Sequence, residues 1–423
     1  MKNRFLRRAL QALGVTLCAL ILALNYSGPI LSLRDIPQII HIPAGESYIL
    51  PLEQNSLLTA SCDTDTLEVS MLSGETLAEA TGEDTSGNSN ITVSLFGIVP
   101  VKSIQVNVRN EIMLAPGGTS IGVTLHTKGA LVVGISSILL ANGETASPAA
   151  AAGLQAGDII ERANGVEIQD SNHLKEICNN SKDGVDLQIL RGNDRFSATL
   201  KPVLEPQENQ YRMGMWVRDS TAGVGTLSFY DPVSKKYAAL GHAITDVDTR
   251  SPLTVREGEI VQSSIVDIVQ GAQGEPGELR GTFNSSSHTL GSIEKNSQYG
   301  IYGTMYNTFV NPLYKDGLPM AYPEDVVVGP AEILTTISDE GIKSYSCEII
   351  KTNPQNSPAQ KGMVVEITDP ELLRATGGIV QGMSGSPLVQ NGKLIGVVTH
   401  VFINDPKKGY CMYALWMYDQ IVN

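Results

Sequence analysis

The residue types best suited to bond-breaking chemistry sit in two short runs in the second half of the chain. One is Gly382-Met383-Ser384-Gly385-Ser386-Pro387; the other is Leu240-Gly241-His242-Ala243-Ile244-Thr245-Asp246. A serine hydroxyl is a weak nucleophile at neutral pH until an imidazole takes its proton. The tetrahedral intermediate that follows needs backbone N–H donors, and flanking glycines let the chain turn sharply enough to aim them. Ser384 suits the nucleophile, His242 its general base, and the amides of Gly382 and Ser384 the donors. Ser386 is a rival nucleophile or a turn residue. It also fills the last position of a G-x-S-x-G pattern with serine in place of glycine, which disfavours the strand-to-helix elbow built on that pattern.

The histidine is one of six: His41, His126, His173, His242, His288 and His400. His242 stands at a glycine-flanked end of an apolar run, 384 − 242 = 142 residues before the serine. His400 follows the serine and is the competitor for the same role. A third group, a carboxylate, is needed to orient the imidazole and to stabilise its cation. Asp246, Asp248, Asp267, Asp369 and Asp405 are the candidates. Asp246 is too close in sequence to reach back around the ring, whereas Asp267 and Asp369 both lie between histidine and serine. No run of His, Asp, Glu or Cys has metal-ligand spacing, so neither a metal nor another cofactor is expected.

Several elements must position these groups. Residues 204–423 carry both runs. The Gly382–Pro387 stretch is similar to the G-x-S-G-x-P stretch of chymotrypsin-like proteases, and histidine before serine fits two β-barrels that contribute one group each. Upstream, 109–203 contains Ser147–Ala152, the run Gly153-Leu154-Gln155-Ala156-Gly157-Asp158-Ile159-Ile160, and Asn164-Gly165 between apolar stretches. Asn-Gly there predicts a tight hairpin, because both turn positions need positive φ. Ser171 can cap a helix that presents Leu174 and Ile177. The pattern from Ser147 to Ile168 resembles a PDZ domain of the bacterial protease-associated type. Such a domain grips a peptide terminus with a loop of small and apolar residues and adds the peptide as a strand; Ser120, Ile121, Gly122 and Val123 are the expected loop. Residues 35–108 alternate apolar and polar positions between Gly, Ser, Asn and Asp clusters, as a small β-rich domain would. Residues 1–30 open with Lys2, Arg4, Arg7 and Arg8, and an apolar run follows from Ala9 to about Tyr26. That order is the pattern of a signal peptide or signal anchor, here read as an uncleaved anchor.

Composition agrees with a folded, mainly β chain. It has 423 residues, 42% hydrophobic and 17% charged, with 41 glycines and 5% aromatics, a mixture that suits short strands and tight turns. A net charge of −14 would oppose phosphate and argues against nucleic acid as a partner. The five cysteines are far apart, with no CxxC pair, and read as isolated buried thiols.

The N-terminal segment, the PDZ-like part and the runs Leu240–Asp246, Gly378–Pro387 and Thr399–Pro406 together resemble the SpoIVB peptidase family of spore-forming Firmicutes. The resemblance implies His242, Asp369 and Ser384 as the catalytic set, and so favours Asp369 over Asp267. It also implies a mainly β fold: an N-terminal membrane anchor, a small β-rich domain, a PDZ domain and a chymotrypsin-like double β-barrel serine peptidase domain. By the same resemblance the chain is exported across the forespore inner membrane and held there by its anchor. In the intermembrane space it would cut itself and a regulatory membrane protein, so releasing an intramembrane protease that activates a mother-cell sigma factor. The alternative is a non-catalytic PDZ adaptor that binds exported protein termini.

Overall fold

The computed structural model describes residues 14–16, 33, 36–50, 52, 58–63, 67–72, 75–80, 87–283 and 288–422. Most of the basic and apolar segment predicted over 1–30 lies outside the described residues. Among the described residues no helix is long and apolar enough to cross a membrane. The chain divides into two compact units, Met1–Ile112 with Pro354–Ser357, and Met113–Asn353 with Pro358–Asn423.

The first unit is built on strands. Ile39–Pro43, Val99–Arg109, Gly87–Leu95 and Leu58–Cys62 form one sheet in that spatial order, the first pair parallel. Ile91 and Val93 alternate with polar residues along their strand and are fully buried, as the two-residue side-chain period requires. They pack with Ile40, Ile42, Ile104 and Val106 into a single core.

In the second unit a PDZ-like part and a peptidase-like part share one thirteen-stranded sheet. Its main path runs Asp194–Leu200, Val185–Arg191, Ile159–Ala163, Ser120–Ile135, Met215–Tyr230, Lys236–Ala239, Gly300–Thr304, Lys295–Ser297. Asn164 and Gly165 have φ of 50° and 79°, so the predicted Asn-Gly hairpin is present. The predicted helix spans Ser171–Asn180 and buries Leu174 and Cys178, but its cap is Asp170, whose carboxylate accepts from the His173 amide at 2.8 Å. Cys178, Cys347 and Cys411 are buried free thiols.

The peptidase-like part holds a closed six-stranded barrel. Its strands run Gly329–Thr335, Lys343–Thr352, Met363–Ile367, Asp405–Tyr413, Lys393–Phe402, Pro387–Gln390. The part that carries His242 also forms a ring, in which Ser120–Ile135, Met215–Tyr230, Lys236–Ala239, Gly300–Thr304, Thr289–Ser292 and Val255–Gln262 follow one another, the bridge Gly291–Met305 joining the fourth to the fifth, and two of these strands continue into the PDZ sheet. Ser120–Ile135 pairs with Met215–Tyr230 along almost its whole length, and both strands run from one part into the other.

The same long strands overturn the loop expected at Ser120–Val123. These residues lie inside a strand and are paired on one side with Gly223–Thr226 and, for Ile121–Val123, on the other with Ile260–Gln262. Ile121 and Val123 are buried in the core beside the strand that leads to His242, together with Leu227, Tyr237 and Ile260. A backbone already paired on both edges has no room for a peptide.

Candidate active site

The Gly382–Pro387 loop is held from below by the strand Met215–Tyr230. The Thr226 amide donates to the Ser384 carbonyl at 3.2 Å, and the Thr226 hydroxyl donates to the Gly382 carbonyl at 2.7 Å. Two further hydrogen bonds orient the amides. The Gln381 carbonyl accepts from the Leu279 amide at 2.8 Å, and the Met383 carbonyl accepts from the Ser386 amide at 2.9 Å. In a planar trans peptide the N–H points opposite the C=O. The Gly382 and Ser384 amides are therefore turned away from those partners, and neither donates to another described residue. Gly385 has φ of +94°, and a Cβ there would lie 2.4 Å from the Thr226 carbonyl oxygen and 2.5 Å from the Leu240 nitrogen. Glycine is what lets this loop lie flat on the strands below.

His242 emerges from the strand Lys236–Ala239 through Leu240 and Gly241, with φ of 71° and 69°. Positive φ is uncommon for leucine and marks stored backbone strain. The surroundings enforce it, since the Leu240 amide donates to the Thr226 carbonyl at 3.2 Å and the Leu240 side chain fills the space above Gly225. Asn296 then staples the next residues. Its side-chain carbonyl accepts from the Ile244 amide, and its NH2 donates to the carbonyls of Ile244 and Leu253, each at 2.8 Å.

The His242 Nδ1–H donates to the Ala243 carbonyl at 2.8 Å, which leaves Nε2 as the basic nitrogen. Burial lowers the pKa of His242, against the opposing pull of that hydrogen bond. Its ring centroid lies 5.8 Å from that of His400, tilted by 44°. His242 and Ser384 line one cleft of about 450 Å³, with Val123, Ala222, Val224 and Leu240 among its walls. In this structure the Ser384 hydroxyl donates to the Thr399 carbonyl at 3.3 Å and not to His242. Ser386 is fully buried with its hydroxyl 3.1 Å from that of Thr335, out of reach of a substrate.

No carboxylate fills the expected third position. Among the described residues none hydrogen-bonds or ion-pairs with His242. Asp369 caps the helix Pro370–Thr376, with Oδ1 accepting from the amides of Glu371 at 2.8 Å and Leu372 at 3.0 Å. Its other oxygen accepts from the Ser346 amide at 3.3 Å. Both oxygens are engaged by backbone, which accounts for an Asp directly before Pro370 without any imidazole. Asp267 pairs with Arg280 at 3.4 Å in an exposed setting. Asp246 is buried and bonded to Arg218 and to its own loop. Among the described residues no group of three or more His, Cys, Asp and Glu converges to hold a metal ion.

A second cleft, of about 390 Å³, lies on the PDZ-like part. It is lined by Ser136, Ile138, Lys175, Met213, Met215 and Trp216. Met215–Arg218 pairs with Leu131–Ile135 on one edge, and among the described residues no strand pairs with its other edge. Gly214, φ +73°, turns the chain into this strand, with the Met213 and Gly214 carbonyls accepting from the amides of Ala149 and Ser136, each at 2.9 Å. Met213-Gly214-Met215 is an apolar-Gly-apolar run that sequence reasoning passed over in favour of Ile121-Gly122-Val123.

A glycine-flanked serine and a half-buried histidine lining one cleft are the groups that a serine peptidase, a hydrolase acting on peptide bonds, requires. The family model described as SpoIVB peptidase S55 matches residues 209–418, and a PDZ domain model matches residues 119–201. The chain carries a SpoIVB peptidase domain and a PDZ domain. No curated protein matches it at a significant level.

Proposed function

We propose that Ser384 is the nucleophile and His242 the general base of an endopeptidase that works outside the cytoplasm. The observation that carries this is one cleft holding both side chains, beside two backbone amides with no other partner among the described residues. On substrate binding the Ser384 hydroxyl turns from Thr399 to His242 Nε2, gives up its proton and attacks the peptide carbonyl carbon. The oxygen that gains the charge is met by the Gly382 and Ser384 amides. His242 then passes the proton to the departing amine, and water repeats the cycle on the acyl-serine. The Ala243 carbonyl holds the imidazole's orientation and tautomer, the task a carboxylate performs elsewhere.

In this reading the chain is exported across the forespore inner membrane and tethered there by its basic and apolar N-terminus. It cuts itself and a regulatory membrane protein in sporulation signalling. The open edge Met215–Val217 takes an extended peptide as an added strand beside the helix Ser171–Asn180, which replaces the loop at Ser120–Val123. The test is a time course of the purified full chain, wild type beside Ser384→Ala, followed by intact mass. Fragments in the wild type alone support the reading. Equal fragmentation of the variant, free of contaminating protease, overturns it.

A further inference from the structure

Arg218 and Asp219 are neighbours on the strand that joins the two clefts, and they tie it to different elements. Asp219 Oδ2 accepts from the Ser171 amide at 2.6 Å, at the start of the helix that flanks the PDZ cleft. The Arg218 guanidinium pairs with Asp246, and at 2.8 Å with Asp248, both in the loop that follows His242. Asp246 has no exposed side-chain surface, whereas Asp248 is about half exposed at 49%. Every contact on Asp246 Oδ1 comes from within its own loop: the amides of Asp248 and Thr249 and the Thr249 hydroxyl. Among the described residues, Oδ2 is answered by Arg218 alone.

A buried carboxylate without its cation is strongly unfavourable, so the loop has to stay where Arg218 can reach it. Asn296 fixes Ile244 and Leu253, while Arg218 fixes the turn between them. Together these contacts leave the backbone next to His242 few ways to move.

We propose that Arg218 is a positioning residue for the peptidase reaction: it sets the His242 loop through Asp246 and couples that loop to the strand edge where the PDZ cleft takes its peptide. This rests on the peptidase reading above. The ligand it implies at the coupling end is an extended peptide lying along Met215–Val217, three residues or fewer from Arg218.

The experiment uses the full chain with Arg218→Gln, Arg218→Lys and Asp248→Asn, each titrated with a fluorophosphonate that labels the active serine. Turnover of a fluorogenic peptide is then expressed per labelled site. Arg218→Gln should lower kcat about 10- to 100-fold with KM held within about twofold, the scale of a small misplacement of a catalytic group. Arg218→Lys should recover most of kcat because it keeps a charge within reach of Asp246. Asp248→Asn should stay near wild type, since it removes only the exposed partner. Wild-type kcat per labelled site in Arg218→Gln would overturn the proposal, even if less of that protein folds. So would an Arg218→Lys variant as slow as Arg218→Gln. If instead the wild type takes no label, or Ser384→Ala still turns over peptide, it is the peptidase reading that fails.

Discussion

Replacing Gly385 with alanine should damage both halves of the site at once. The new Cβ would sit 2.4 Å from the Thr226 carbonyl oxygen and 2.5 Å from the Leu240 nitrogen, the two atoms whose hydrogen bond ties the nucleophile's supporting strand to the chain entering His242. Neither is the end of a flexible side chain, so the backbone has to part. At φ of +94° an L-residue also leaves the conformations it prefers, a cost of about 1–2 kcal/mol. Splitting a buried amide–carbonyl pair adds about 1–3 kcal/mol. The sum is a loss of about 2–5 kcal/mol. It would be read by urea unfolding in a Ser384→Ala background, which removes self-cleavage from the measurement. In the otherwise wild-type chain, fluorophosphonate labelling of Ser384 should slow at least about tenfold as the loop lifts. A Gly385→Ala chain that unfolds within about 1 kcal/mol of its parent and labels at the parental rate would refute this description of the loop.

Three further outcomes follow from the same geometry. Because burial holds the pKa of His242 down, its base is neutral and active above that lowered value, and activity is lost as pH falls through it. The acid limb of kcat/KM should therefore lie below the ordinary histidine value of about 6.5, and a limb at or above that value would contradict the burial seen here. Asp369→Ala should cost about 0.5–2 kcal/mol of stability as a lost helix cap, with kcat changed only severalfold. A fall of about 10⁴ in kcat in a folded Asp369→Ala chain would restore the carboxylate role. Ser386→Ala gives up one buried hydroxyl pair, so stability should fall by about 1 kcal/mol while labelling persists. Loss of labelling in that variant, with folding intact, would move the nucleophile to Ser386.

Local signals in the sequence were the ones that could be read from it. Asn164-Gly165 and Asn391-Gly392 both turn with positive φ at each position, as that dipeptide demands. The runs around His242 and Ser384 stand out because a glycine-flanked serine and an imidazole are what acyl transfer requires, and both side chains line one cleft. What depended on distant pairing was not. Ile121-Gly122-Val123 and Met213-Gly214-Met215 look alike as text. Which of them keeps a free edge is decided by partners 80 or more residues away (215 − 135 = 80 for Met215 and Ile135), on a strand pair that spans both parts of the unit. For the same reason the sequence does not show that two strands of the His242 part run on into the PDZ-like sheet. Asp369 was different, since Asp before Pro370 with Glu371 next is a helix-start signature that could have been recognised. Thr226, Asn296 and Arg218 carry no signal of their own, because their partners are loop backbone and a buried carboxylate brought near only by folding.

The central claim is that Ser384, activated by His242, is the attacking group. The most direct measurement is to label the full chain with a fluorophosphonate and locate the adduct by peptide mass spectrometry. The account predicts an adduct on Ser384 that disappears in Ser384→Ala and is strongly suppressed in His242→Ala. An adduct on Ser386, or undiminished labelling of a folded His242→Ala chain, would contradict it.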